Sequence, residues 1–168
     1  KYGLEVGFYI PDRIKEGYGL NCNTVSLAHK KGYELLVTVD NGVKAHDALS
    51  FAKEIGMETI VTDHHRIEEE ICCDVLVHPS KMEESFSTLC GAAVAYECIR
   101  ALGVDTPYHL ILASIASVGD VMPVTHQTRA LIQNGLQLLN TSKEKHTYIL
   151  ANDGVLNETS VGFQIVPK

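Results

Sequence analysis

The chain has no run of apolar residues near the ~20 that a membrane helix needs, and residues 1–10 lack the apolar core and small-residue cleavage site of a secretory signal. Cysteine is sparse. The five are Cys22, Cys72, Cys73, Cys90 and Cys98, none in a C-x-x-C pair. An odd count without such pairs disfavours a disulfide framework, so buried free thiols and a cytoplasmic location are expected. Basic charge is also short: 14 Lys and Arg against 21 Asp and Glu leave a net charge of −7. Bulk composition therefore supplies no basic surface for gripping nucleic-acid phosphates. It does not exclude a phosphate substrate, because clustered carboxylates hold divalent cations and the cations meet the phosphate. Tryptophan is absent, and low-complexity tracts and tandem repeats are missing. With 45% hydrophobic and 21% charged residues, the composition is globular, and 168 residues bury a real core as one domain or two small lobes.

The first half alternates strand and helix signals. Residues 4–10 (LEVGFYI) read as a strand closed by Pro11, and residues 24–31 as a short helix with Thr24 as N-cap and Gly32 as its stop. Residues 34–39 (ELLVTV) form a continuous apolar run, the pattern of a strand buried on both faces. A helix over 43–55 carries Ala45, Ala48, Leu49 and Ala52 on one face, and strands follow at 58–62 and 74–77. Such alternation predicts an α/β fold, a Rossmann-like parallel sheet with flanking helices and right-handed crossovers. The second half changes to helices at 91–101, 108–117, 128–139 and about 143–151, so residues 1–80 are expected to be α/β and 81–168 mainly helical.

Ligands of open parallel sheets bind beyond the carboxyl ends of the strands, and polar clusters stand at those ends. Asp40-Asn41-Gly42 follows one buried strand and Asp63-His64-His65 the next, while Asp120 lies in a loop after a helix. Asp40 taken alone is more often a turn former or helix cap, and Asp63 is a natural helix cap. Consecutive strand ends delivering carboxylates to one edge instead describe a hard-cation site, and an added imidazole tilts it from Mg²⁺ towards Mn²⁺. Adjacent histidines point oppositely in extended chain, which gives His64 and His65 different tasks, one towards metal and one towards a substrate oxygen. Gly91 opens a small-residue helix start that suits either an anion or close packing.

With these residues in view, the sequence resembles the DHH phosphoesterase superfamily, and within it the RecJ-type single-stranded-DNA-specific exonucleases. The resemblance rests on Tyr9-Ile10-Pro11-Asp12-Arg13 with Glu16-Gly17-Tyr18-Gly19-Leu20-Asn21, on Thr38 to Gly42, on Val61 to His65, on Leu89-Cys90-Gly91-Ala92 and on Asp120-Val121-Met122-Pro123, in family order. It implies a hydrolase, a two-metal exodeoxyribonuclease that digests single-stranded DNA from the 5′ end in repair and recombination, with Mn²⁺ or Mg²⁺ as cofactor. By position it implies Asp40, His64 and Asp120 as metal ligands, and His65 and Asp63 as the catalytic pair. In that pair His65 meets the scissile phosphate or leaving group, and Asp63 orients a histidine. Arg13 and Gly91 are the implied substrate contacts, and single-strand-binding or repair proteins the implied partners.

The pattern also departs from the family. The Asp-x-Asp motif expected upstream is absent, Thr128-Arg129 stands where Asn-Arg is usual, and Glu97 where many relatives carry Lys. The chain is therefore expected to be a partial DHH domain, cut before an accessory nucleic-acid-binding domain and inactive by itself. A superfamily phosphodiesterase for short oligonucleotides or cyclic dinucleotides, a pyrophosphatase, and a non-catalytic repair partner are the alternatives. The loop from Pro11 to Asn21 disfavours the small-substrate enzymes, and the joint presence of Asp40, His64 and Asp120 disfavours the partner.

Overall fold

The computed structural model describes residues 3–12 and 14–141, which form two compact units divided between His78 and Pro79. The expected helix at 143–151 and Arg13 lie outside the described residues.

The first unit is a three-stranded parallel sheet, β1 (Leu35–Val39), β2 (Glu58–Thr62) and β3 (Val75–Val77), in that spatial order. Two helices, α1 (Cys22–Lys30) and α2 (His46–Glu54), connect and cover it. Register aligns Thr38 with Val61 and Leu76 on one face, and Val37 with Ile60 and Val75 on the other. The first face is the packed one. There Val43, Leu49 and Val61 form one buried cluster, and Val25, Ala48, Ala52 and Met57 another, joined by Leu36. Fully burying side chains of this size contributes about 1.5–3 kcal/mol each.

Four local expectations change, in whole or in part. The cap of α1 is Asn21, whose Oδ1 accepts the Thr24 N–H at 3.0 Å, because Thr24 already sits inside the first turn. Residues 4–10 form no strand, and Leu4, Val6, Phe8 and Ile10 are exposed, so their alternation lies on a segment outside the sheet. Strand β1 is covered on one face only: Leu35, Val37 and Val39 are 47–54% exposed, since α1 and α2 both pack on the opposite side. Burial of the cysteines holds for Cys90, whereas Cys22 is exposed and the others are intermediate.

The second unit begins with two short 3-10 turns and continues as three helices, α3 (Gly91–Ala101), α4 (Pro107–Gly119) and α5 (His126–Thr141). Helix α4 starts on a reciprocal cap between Thr106 and His109, with Pro107 at its first position. It packs on α5 through Ile111, Ile132, Leu136 and Leu139. A Cβ added at Gly135 would come within 2.3 Å of Ser114 Cβ, so glycine sets how closely these helices approach. No described helix is long and apolar enough to cross a membrane.

Helix α4 ends at Asp120, followed by Val121 with φ +54°. The Val121 N–H donates to Val118 O and the Met122 N–H to Ser117 O, the pairing of a Schellman cap. That cap normally uses glycine, and a β-branched residue there is strained. Replacing the exposed Val121 by Gly should relieve the strain and raise stability by up to about 1 kcal/mol, measured by urea unfolding. An unchanged or lower midpoint would show that the strain is not there.

Candidate metal centre

All three parallel strands end on the same edge, and each is followed by a polar residue: Asp40 after β1, Asp63 after β2 and His78 after β3. Asp40 adopts φ +61°, a left-handed conformation that aspartate tolerates, while its N–H still donates to Thr62 O at 3.0 Å. Asn41 turns back, its Nδ2 donating to Val39 O at 2.9 Å. Gly42 then crosses the sheet with φ +122°. A Cβ there would lie 2.8 Å from Thr38 Oγ1 and 2.9 Å from Val61 Cγ1, so only glycine fits. This tight crossing delivers the Val43 N–H to Asp63 Oδ2 at 3.0 Å.

Asp63 is 1% exposed and accepts from two loops. Besides Val43, its Oδ1 receives the N–H of His64 at 2.7 Å, the N–H of His65 at 3.2 Å and the ring Nδ1 of His65 at 2.6 Å. Burial pushes the carboxyl up, but the Val43 N–H, the His65 ring and the His65 and His64 amides outweigh it and hold Asp63 below its ordinary value. With Nδ1 committed as a donor to Asp63, His65 keeps Nε2 for other contacts.

The two histidines do not point oppositely. Their ring centroids lie 4.5 Å apart, because the chain leaves the extended state at Thr62 and folds its amides onto Asp63. His64 Nε2 stands 3.3 Å from Asp40 Oδ1, with His64 13% exposed and Asp40 55%. Ligand atoms of Asp40, His64 and His65 all fall within 4.8 Å of one another. Two donors at right angles on an ion with ~2.1 Å bonds are about 3.0 Å apart, so the Asp40–His64 spacing suits one hard cation. The donor set of carboxylate oxygen and imidazole nitrogen fits a divalent ion of the Mg²⁺ to Mn²⁺ range. Among the described residues, Thr38 Oγ1 and Asn41 Oδ1 are buried oxygens without a hydrogen-bond partner.

His78 is a contributor that sequence reasoning missed. It is buried and its ring Nε2 donates to His65 O at 2.8 Å, tying the end of β3 to the histidine pair. Its position directly after a strand and before Pro79 was the available signal. Asp120 and Gly91 belong to the second unit. Asp120 closes α4, its N–H donating to Ala116 O at 2.8 Å, and Gly91 is the buried first residue of α3. Glu97 on the same helix pairs with Arg100 at 3.0 Å, and burial raises its pKa.

The lowered Asp63 pKa has a consequence for stability. The unfolded chain takes up its proton near the ordinary value of 3.8, whereas the folded chain resists until lower pH. The stabilisation is therefore present above that range and is lost as pH falls through it towards the folded value. Asp63→Asn should cost about 2–3 kcal/mol at neutral pH and flatten the acid limb of a plot of unfolding midpoint against pH. Parallel acid limbs for the two proteins would contradict the assignment.

Residues 1–119 match the model of the DHH family, N-terminal domain. The single-stranded-DNA-specific exonuclease RecJ of Bacillus subtilis is 36% identical over 178 residues, covering 100% of this chain and 22% of the relative. RecJ of Haemophilus influenzae is 32% identical over 187 residues, with 98% and 32% covered. The chain thus spans about a fifth to a third of the length of these relatives. A crystal structure of exonuclease RecJ bound to manganese superposes with a TM-score of 0.79 at 30% identity, covering 95% of this chain and 43% of the other. RecJ from Thermus thermophilus in complex with Mn²⁺ gives 0.75 at 29% identity, covering 88% and 24%. The chain belongs to the DHH family and resembles its RecJ-type members.

Proposed function

We propose that this chain is part of the DHH domain of a divalent-metal-dependent exonuclease that hydrolyses single-stranded DNA from its 5′ end. The observation that carries the reading is the convergence of Asp40, His64 and His65 at the carboxyl edge of the sheet. The RecJ names of its relatives and the manganese in two similar structures support it.

Asp40 and His64 would hold a divalent ion, Mn²⁺ or Mg²⁺, and the family resemblance implies Asp120 as a further metal ligand. Such ions supply Lewis-acid charge to a phosphodiester and make water nucleophilic near neutral pH. The rest is done by protein groups. Asp63 commits its lone pairs to four N–H donors, so it positions His65 and leaves the ion to Asp40 and His64. His65, half exposed, turns Nε2 to a phosphate oxygen or the leaving group. Arg13 and Gly91 are the further substrate contacts. An acidic chain suits this chemistry, because cations and not a basic surface meet the phosphate at the reacting centre. Single-strand-binding or repair proteins as partners, and a cytoplasmic setting, complete the reading.

In the intact protein, Asp40→Ala should lower Mn²⁺-dependent nucleotide release from a labelled single strand by about a thousandfold or more. Its circular dichroism should match the parent. Near-parental activity in a folded Asp40→Ala protein would overturn the reading.

A further inference from the structure

Helices α3 and α4 pack together, and a buried thiol joins the start of one to the end of the other. Cys90 holds the N-cap position of α3, 2% exposed, yet its side chain makes no capping bond to that helix. Its sulfur lies 3.3 Å from Ser117 Oγ, near the end of α4. Ser117 is itself fully buried, and its hydroxyl donates to Ala113 O at 2.8 Å. A hydroxyl has one proton to give, so in the bond between the two side chains the thiol donates and Ser117 Oγ accepts. Burial outweighs the pull of the Ser117 bond and, with the negative charge of Asp120, raises the pKa of Cys90, so the proton stays on sulfur at neutral pH.

The acceptor stands under the turn that carries Asp120. Ser117 and Asp120 are three residues apart, neighbours on one side of the helix end. Ser117 O accepts the Met122 N–H at 3.2 Å and Ala116 O the Asp120 N–H at 2.8 Å, so the residue that meets the thiol also closes the helix. Asp120 is exposed, and Val121 after it holds φ +54°. A carboxylate at such a strained exit keeps a fixed place only where the last helical turn is itself held.

We propose that Cys90 is a positioning residue: through Ser117 its thiol fixes the last turn of α4 and with it the carboxylate of Asp120 as a metal ligand. The proposal rests on the exonuclease reading, with Asp120 as the ligand that the family resemblance implies, and adds to it the group that holds this ligand in place. Cys90 acts through Ser117 and is not a ligand itself.

Mn²⁺ binding by the intact protein, followed by the EPR signal of the free ion, tests this without reference to cleavage. Cys90→Ala should weaken a bound Mn²⁺ about tenfold, the scale of loss when the group supporting a ligand is removed. Cys90→Ser keeps a donor and should bind as the parent does. Ser117→Ala removes the acceptor from the other side and should match Cys90→Ala. In an Asp120→Asn background, weaker at the outset, Cys90→Ala should add little further loss, because both changes act through one carboxylate. This pattern in a protein that cleaves no DNA would support the positioning role while overturning the exonuclease reading. Parental Mn²⁺ binding by folded Cys90→Ala and Ser117→Ala proteins, or losses that add in full to that of Asp120→Asn, would overturn the role even where the protein cleaves DNA. So would parental binding by Asp120→Asn itself.

Discussion

One buried carboxylate organises the first unit's site. Asp63 sits at the end of β2 with 1% exposure and collects N–H groups from both the loop after β1 and its own His64–His65 segment. A carboxylate in that position is tolerated only because every approach to it is a donor. Its negative charge thereby fixes the course of residues 40–43, the bend of the histidine pair and the tautomer of His65. The requirement for glycine at position 42 follows from the same bond, since a side chain there would block the path that brings Val43 to Asp63.

The two aspartates at consecutive strand ends divide the work by burial. Asp63, enclosed and saturated with hydrogen bonds, orients. Asp40, 55% exposed and 3.3 Å from His64, keeps a carboxylate available to an incoming cation. His78 adds a tie from β3 to the His65 carbonyl, so all three strands contribute to holding the pair. Such redundancy suits a site whose ligands must stay close together before a cation arrives.

Much of this was legible in the sequence because parallel strands leave short apolar runs, and the residues just after such a run lie at the ligand edge. Strand β2 coincides with its apolar run, and β1 and β3 each start one residue later than theirs. Features that depend on the partner surface were not legible. The alternation in residues 4–10 resembles a half-buried strand, yet no pairing strand is available to it in the described sheet. The apolar run of β1 suggested burial on both faces, but sequence does not reveal that α1 and α2 choose the same side. Asn21 took the cap from Thr24 because a cap is decided by which side chain reaches the free N–H, three residues on. His78 acts through a bond to a backbone carbonyl, and its place between a strand and Pro79 is the one trace it leaves in the sequence.

The proposed function turns on a divalent cation that Asp40 and His64 would hold on the frame that Asp63 sets. Crystals of the chain grown with Mn²⁺, with diffraction recorded at the manganese absorption edge, test this most directly. The predicted result is an anomalous peak within about 2.0–2.3 Å of both an Asp40 carboxylate oxygen and His64 Nε2, with Asp63 still bonded to Val43 and His65 and not to the ion. A peak bound through Asp63, or well-ordered Asp40 and His64 side chains with no manganese between them, would contradict it.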